Sequence, residues 1–213
     1  RQRQMCIRDR IDVYSCRIFP WTNVSYIHFP FSNHYDYNFR FPYLKSRRII
    51  QVSALPYVIF EKNVVSNKGK LILANSRYTA KEIRRFLGKK AKVLYPPVSS
   101  ASFDDIEKLS MNQRRNLVVT ISRFAPTKSL EKIPYIASLT SSDIQFAIIG
   151  QIHDKSTLLL LQKLTKEQRL TDRIKFFPEV SKRKMKEVLK CAKVYLHTMV
   201  GEHFGISIVE AMA

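Results

Sequence analysis

Two glutamates, Glu202 and Glu210, stand with seven residues between them in the closing stretch GEHFGISIVEAMA (201–213), separated by Gly205 and an apolar run. Carboxylates accept hydrogen bonds, so a pair of them suits a ligand rich in hydroxyls. Gly205 lets the backbone approach something closely. A helix starting near Ile206 or Ser207 offers free N–H groups and a positive dipole end, which suit a phosphate. Acids beside a phosphate make chemical sense where the same ligand also carries hydroxyls, as a ribose or a sugar does. The combination points to a sugar nucleotide. Spacing alone also fits a plainer alternative, a surface acid at Glu202 and an ordinary helix-start acid at Glu210.

A second cluster lies in SRFAPTK (122–128), where Arg123 and Lys128 follow an apolar run. If that run is a strand of an open parallel sheet, both cations stand at its carboxyl edge, where such sheets bind ligands. Two cations there could neutralise a departing diphosphate, the Arg fork matching phosphate oxygens. Taken alone they fit solvated charges equally well; a phosphate-binding helix start on a later strand of the same sheet favours the functional reading. His28, in YIHFP (26–30), closes a strand of the first half and could face the second half across a cleft, though a lone histidine is as readily structural. The five histidines show no metal-binding spacing, and no metal is expected. Cys6, Cys16 and Cys191 are too scattered for a disulfide framework, which favours a reduced, cytosolic setting.

The elements that must position these groups follow from periodicity. NLVVTIS (116–122), IQFAIIG (144–150), RIKFF (173–177) and KVYLHT (193–198) read as strands, the last placing His197 inside the strand as a packing or locally bonded residue. Between them, 129–139, 155–168 and 181–192 read as helices, with Pro134 in a first turn. In the first half, 23–30, 70–76 and 91–98 read as strands and 44–66 as a helix broken near Pro56. Residues 79–88 read as a helix with a Thr79–Glu82 capping box and a terminal Gly88. Strand–helix alternation with short connections implies an α/β fold of the doubly wound class. Pro96 and Pro97 mark the expected linker. RQRQMCIRDR (1–10) has neither apolar period nor signal-peptide pattern and reads as a non-native leader.

The chain has 213 residues, and its 37 Lys and Arg against 17 Asp and Glu give a formal charge of +20. Such a molecule attracts anions: phosphorylated small molecules, an anionic membrane leaflet, or nucleic acid. The basic face Lys182, Arg183, Lys184 and Lys186 reads first as solvated surface and second as a contact for anionic lipid. A basic nucleic-acid-binding domain remains an alternative, but the aromatics crowd residues 14–60 without a matching module pattern, so no nucleic-acid partner is expected. The longest apolar stretch, 49–60, is too short to span a bilayer and contains Gln51 and Pro56, which leaves a peripheral membrane contact open.

With Glu202 to Glu210 and the pair Arg123 and Lys128 in hand, the chain resembles glycosyltransferase family 4, the retaining enzymes of the GT-B fold. LHTMVGEHFGISIVEAMA (196–213), YIHFP (26–30), ANSRYTAKEI (74–83) and VLYPPV (93–98) are similar, in that order, to a branch that transfers mannose from GDP-mannose to a dolichol-pyrophosphate-linked glycan. The resemblance implies two doubly wound Rossmann-like domains, both incomplete here: a partial acceptor-side domain over 11–98 and a partial nucleotide-sugar-binding domain over 99–213. It implies that Glu210 binds the donor ribose, that Glu202 contacts the transferred sugar, and that backbone amides around Phe204, Gly205 and Ile206 hold phosphate. Arg123 and Lys128 would stabilise the leaving diphosphate, Val180 would meet the base through its backbone, and His28 would contact the sugar near the reacting carbon. No metal or other cofactor is implied. The implied partners are a nucleotide sugar and a polyprenyl- or dolichol-linked glycan, with a peripheral station on the cytosolic face of a membrane. The family's glycine-rich loop after its first strand is not matched, so a non-catalytic remnant of the same fold stays an alternative.

Overall fold

Short apolar runs in the first half form parallel strands because every second side chain can be buried. In the computed structural model, which describes residues 11–13, 18, 22–29, 70–98 and 109–213, these are β1 (Ile11–Asp12), β2 (Val24–Ile27), β3 (Leu71–Ala74) and β4 (Lys92–Val93). They pair in parallel in the order β1-β2-β3-β4. Helix α1 (Arg77–Leu87) sets Ile83 and Leu87 against Ile18, Ile27, Ile72 and Ala74, the core of this unit. The expected cap of α1 shifts by three residues. Ser76, not Thr79, is the N-cap, and its hydroxyl accepts from the Thr79 N–H at 3.0 Å. The Thr79 hydroxyl is buried and donates instead to the His28 carbonyl at 3.2 Å. At the other end Gly88 takes φ 65° and closes the helix onto the Arg84 carbonyl. The strand expected over 91–98 shortens to two residues, since the Leu94 carbonyl accepts from the Tyr26 hydroxyl rather than from a strand neighbour. The helix expected over 44–66 and the leader 1–10 lie outside the described residues.

The second half builds a four-stranded parallel sheet from β5 (Arg115–Ile121), β6 (Gln145–Gly150), β7 (Ile174–Pro178) and β8 (Ala192–Tyr195), in the order β7-β6-β5-β8. Alternation along β6 sorts its two faces. Phe146 and Ile148 join Ile133 and Ala137 of α2 (Lys132–Ser138) and Leu161 of α3 (Lys155–Glu167). Ala147 and Ile149 face the other way, toward Met185, Val188 and Leu189 of α4 (Lys182–Lys190). Helices therefore cover both faces, as expected of a doubly wound sheet. A last helix, α5 (Ile206–Met212), follows β8. The chain divides into two compact units, Arg1–Pro97 and Val98–Ala213.

Caps fix where these helices begin. Asp154 accepts from the Ser156 and Thr157 N–H groups, and bonds from the two hydroxyls, Ser156 foremost, hold its carboxyl at a pKa of about 2. Ser181 accepts from the Lys184 N–H at the start of α4. β8 ends at Tyr195, three residues short of expectation, and the cause is local. The Leu196 N–H still reaches the Val119 carbonyl, but the Leu196 carbonyl accepts from the Thr120 hydroxyl at 2.8 Å, so the chain leaves the ladder there. His197 consequently lies beyond the strand rather than inside it.

Candidate functional site

β5 carries β6 on one side and β8 on the other, so the connections leaving β5 and β8 part at the carboxyl edge. Such a switch point opens a crevice in an open α/β sheet. Two loops meet there. The first runs from Ser122 through Arg123 and a fully buried Phe124 into a 3-10 turn, Pro126–Lys128, ended by Ser129 at φ 51°. Phe124 anchors this loop by pairing with Ile152 beyond β6. Gly150 must be glycine for the same reason. A Cβ there would sit 1.9 Å from the Ser122 carbonyl oxygen, so no other residue lets the exits of β5 and β6 come this close. The second loop spans residues 196–205 and turns into α5 at Gly205, whose φ of 76° is a left-handed conformation that favours glycine. Its hypothetical Cβ would also lie 2.7 Å from Ile208 Cδ1 and 3.1 Å from Glu202 Cγ.

The loops are stitched together by the residues that carry charge. The Thr198 hydroxyl donates to the Lys128 carbonyl at 2.8 Å, and Lys128 Nζ donates to Glu202 Oε2 at 3.1 Å and to Met199 Sδ at 3.0 Å. His197 Nε2 also lies 3.1 Å from Glu202 Oε2. That contact is close without being aligned. Neither ring nitrogen of His197 has a partner in hydrogen-bonding geometry, although both are buried. The pair is a close polar contact, poorly aligned for a full hydrogen bond. Burial pushes the Glu202 carboxyl up, but the Lys128 ammonium, through its charge and its bond, together with the His197 charge and the His203 N–H, outweighs burial and holds it below its ordinary value. Burial also pushes His197 down; the Glu202 charge opposes this only in part, so the ring is neutral near pH 7.

Tyr195 ties α5 to the same edge. Its hydroxyl lies 3.1 Å from the Ile121 carbonyl and 2.8 Å from the Ser207 hydroxyl. Burial raises its pKa, and the charges of both Glu202 and Glu210 raise it further, so the two acids flank one phenol from a loop and from a helix. Glu210 is half-buried on α5, with Phe204 and Gly205 in the turn before it and Ile206 exposed at its start. Arg123 is exposed on the β5 loop. Val180, after β7, packs against the core face shared with α4. His28 sits at the carboxyl end of β2 in the first unit; its Nε2 lies 3.2 Å from the Val13 carbonyl, and its ring packs edge-on against Tyr26 with centroids 5.0 Å apart. Among the described residues, no three His, Cys, Asp or Glu side chains gather as metal ligands do.

Lys128 and Glu202, singled out by sequence, thus meet directly, while Val180 follows β7 and His28 belongs to the first unit. His197, read from sequence as a packing or locally bonded strand residue, and Tyr195, not singled out there, are the further neighbours of this site. The available signal was their place, at or just past a strand's carboxyl end and five to seven residues before an acid already suspected.

The architecture is that of solved GT-B glycosyltransferases. WaaG, a glycosyltransferase involved in lipopolysaccharide biosynthesis, superposes with a TM-score of 0.67 over 96% of this chain and 57% of that one, at 14% identity. Anabaena HepE in complex with UDP gives 0.66 over 89% of this chain and 50% of that one, at 16% identity. Likeness at such identities is likeness of fold. The family follows from sequence: the model for glycosyl transferases group 1 matches residues 102–213, and the chain belongs to that family. Among curated relatives, the GDP-Man:Man(3)GlcNAc(2)-PP-Dol alpha-1,2-mannosyltransferase of Dictyostelium discoideum is 28% identical over 192 residues, 80% of this chain and 38% of that protein. The Homo sapiens protein of the same name is 25% identical over 191 residues, 82% of this chain and 38% of its own length. The chain thus spans under two fifths of the length of these relatives.

Proposed function

We propose that this chain carries the nucleotide-sugar site of a retaining hexosyltransferase that moves mannose from GDP-mannose to a dolichol- or other polyprenyl-linked glycan. The observation that carries the reading is the meeting of Lys128 and Glu202, 3.1 Å apart, from two different loops at the switch point of the second sheet. A cation for phosphate and an acid for hydroxyls within one crevice match a ligand that has both. In this reading Glu210 accepts from the ribose hydroxyls and Glu202 from those of the sugar. The amides around Phe204, Gly205 and Ile206 face the phosphates, and the backbone at Val180 meets the base. Arg123 and Lys128 neutralise the diphosphate as the bond from the anomeric carbon to phosphate oxygen breaks. His28 keeps the role that the resemblance gives it, a contact to the sugar. The relatives' printed names supply the donor, the acceptor class and the linkage that this reading adopts.

The two cations and the helix amides do the neutralising, so the reading includes no metal requirement, and turnover should survive chelation. The charge of +20 suits phosphorylated substrates and peripheral attachment to an anionic, cytosolic membrane face. Preorganised charges of this kind are worth on the order of 10²–10³ in rate, so Lys128→Ala and Arg123→Ala should each lower turnover by about that factor. Melting temperature measured with GDP-mannose, GDP and UDP-glucose should rise most with GDP-mannose. Near-normal turnover in both variants, or no shift with any nucleotide, rejects the assignment.

A further inference from the structure

We infer that His197 is a positioning residue that keeps the Glu202 carboxylate aimed at the sugar once the donor's diphosphate draws Lys128 away. The inference rests on the donor-site reading above and concerns what that site does when it fills. A single oxygen, Glu202 Oε2, faces both Lys128 Nζ and His197 Nε2, each at 3.1 Å. Lys128 makes the better contact, since it donates with full charge and His197 is out of line. A diphosphate carries more negative charge than one carboxylate and competes for the same ammonium. When Lys128 turns to it, Glu202 loses its strongest partner while still only 21% exposed.

The neighbours then decide what replaces Lys128. The charged and titratable groups around the ring are Glu202 from its own loop and Lys128 from the β5 loop, with Tyr195 two residues before it on β8. Tyr195 is engaged with Ile121 and Ser207, and Thr198 with the Lys128 carbonyl. His197 alone among these has a ring nitrogen, Nε2, close to the acid but out of line with it, and a second, Nδ1, buried without a hydrogen-bond partner, a state that costs free energy until it is relieved. Its backbone is held on both sides, by the Leu196 bonds to Val119 and Thr120 and by the Thr198 bond. With the backbone held, the adjustment left is a turn of the ring, and Nε2 already stands 3.1 Å from Glu202 Oε2. The imidazole is therefore a reserve donor, idle while Lys128 holds the acid and engaged when it leaves.

Calorimetric titration of the purified protein with GDP and, separately, with GDP-mannose tests this in wild type, His197→Ala and His197→Gln. Loss of a hydrogen bond to a charged group corresponds to about 10-fold or more in affinity. The expected result is that His197→Ala lowers GDP-mannose affinity about 10-fold and GDP affinity by clearly less, since both diphosphates draw Lys128 away but only GDP-mannose also needs the aimed carboxylate. Gln, whose amide can stand near the Nε2 position, should recover most of that loss. GDP-mannose affinity unchanged in His197→Ala overturns the inference and leaves the donor site standing. Equal loss of GDP and GDP-mannose, with no recovery in His197→Gln, makes the residue merely structural and overturns it too. Failure of wild type to bind GDP at all rejects the donor-site reading and this inference with it.

Discussion

Glu202 is an acid whose ionisation is set by burial against its neighbours, Lys128 foremost, with the His197 charge and the His203 N–H adding to it. Burial alone would favour its neutral form, and the Lys128 ammonium reverses the sign. Its folded-state pKa lies below the ordinary value, so its contribution to stability is complete above about pH 4.3 and is lost as pH falls through the folded value. His197 is also depressed, so it too favours the fold when neutral, and that share is lost on acidification from about pH 6.5 downward. Lys128→Met should unmask burial: the Glu202 carboxyl, followed by NMR in the free protein, should titrate at a higher pH than in wild type. An unchanged midpoint contradicts the account. The charged members of the site were legible because Arg, Lys and Glu at strand exits are chemically unusual company. His197 was not, because its meaning depends on Lys128, 69 positions earlier in the chain, and on where β8 stops.

At the scale of elements, the buried strands were readable from their β-branched and apolar runs, and their exits were harder. β8 and β4 end early because side-chain hydroxyls, Thr120 and Tyr26, take carbonyls that a simple pattern assigns to a ladder. α1 begins three residues early because Ser76 and Thr79 are both cap-forming residues, and only the fold directs Thr79 to the His28 carbonyl. Close approach is equally invisible in sequence. Gly88 reads as a helix end and Gly150 as a strand end, yet only a Cβ at Gly150 would overlap the Ser122 backbone, while at Gly88 nothing lies within 4 Å. Gly88→Ala should cost only about 1 kcal/mol for its left-handed φ. Gly150→Ala must push apart the exits of β5 and β6, at about 1–3 kcal/mol for overpacking. It should also weaken nucleotide binding, because Arg123 follows Ser122 on the displaced loop. Urea unfolding of both variants, with nucleotide titration, separates the two; equal cost and unaltered binding would show that the edge tolerates the strain.

For the molecule as a whole, the governing quantity is charge, and here the sequence alone suffices. Both units display it on exposed helix faces: Arg77, Lys81, Arg84 and Arg85 on α1, and Lys182, Arg183 and Lys184 on α4. On α4 the charge is partly answered by Glu187, 3.4 Å from both Arg183 and Lys184. On α1 the one carboxylate, Glu82, is buried and lies 3.8 Å from Arg85, so that face is the more strongly basic of the two. Each cation near an anionic leaflet is worth about 1 kcal/mol, and the attraction decays within a Debye length of ~10 Å at 0.1 M salt and ~3 Å at 1 M. The protein should therefore sediment with phosphatidylserine vesicles at low salt, ignore neutral phosphatidylcholine vesicles, and be released as salt rises. Charge reversal of Arg84 and Arg85 together should weaken the association more than reversal of Arg183 and Lys184. Equal retention on neutral vesicles, or retention indifferent to salt, would mean that apolar insertion rather than this charge holds the protein to the membrane.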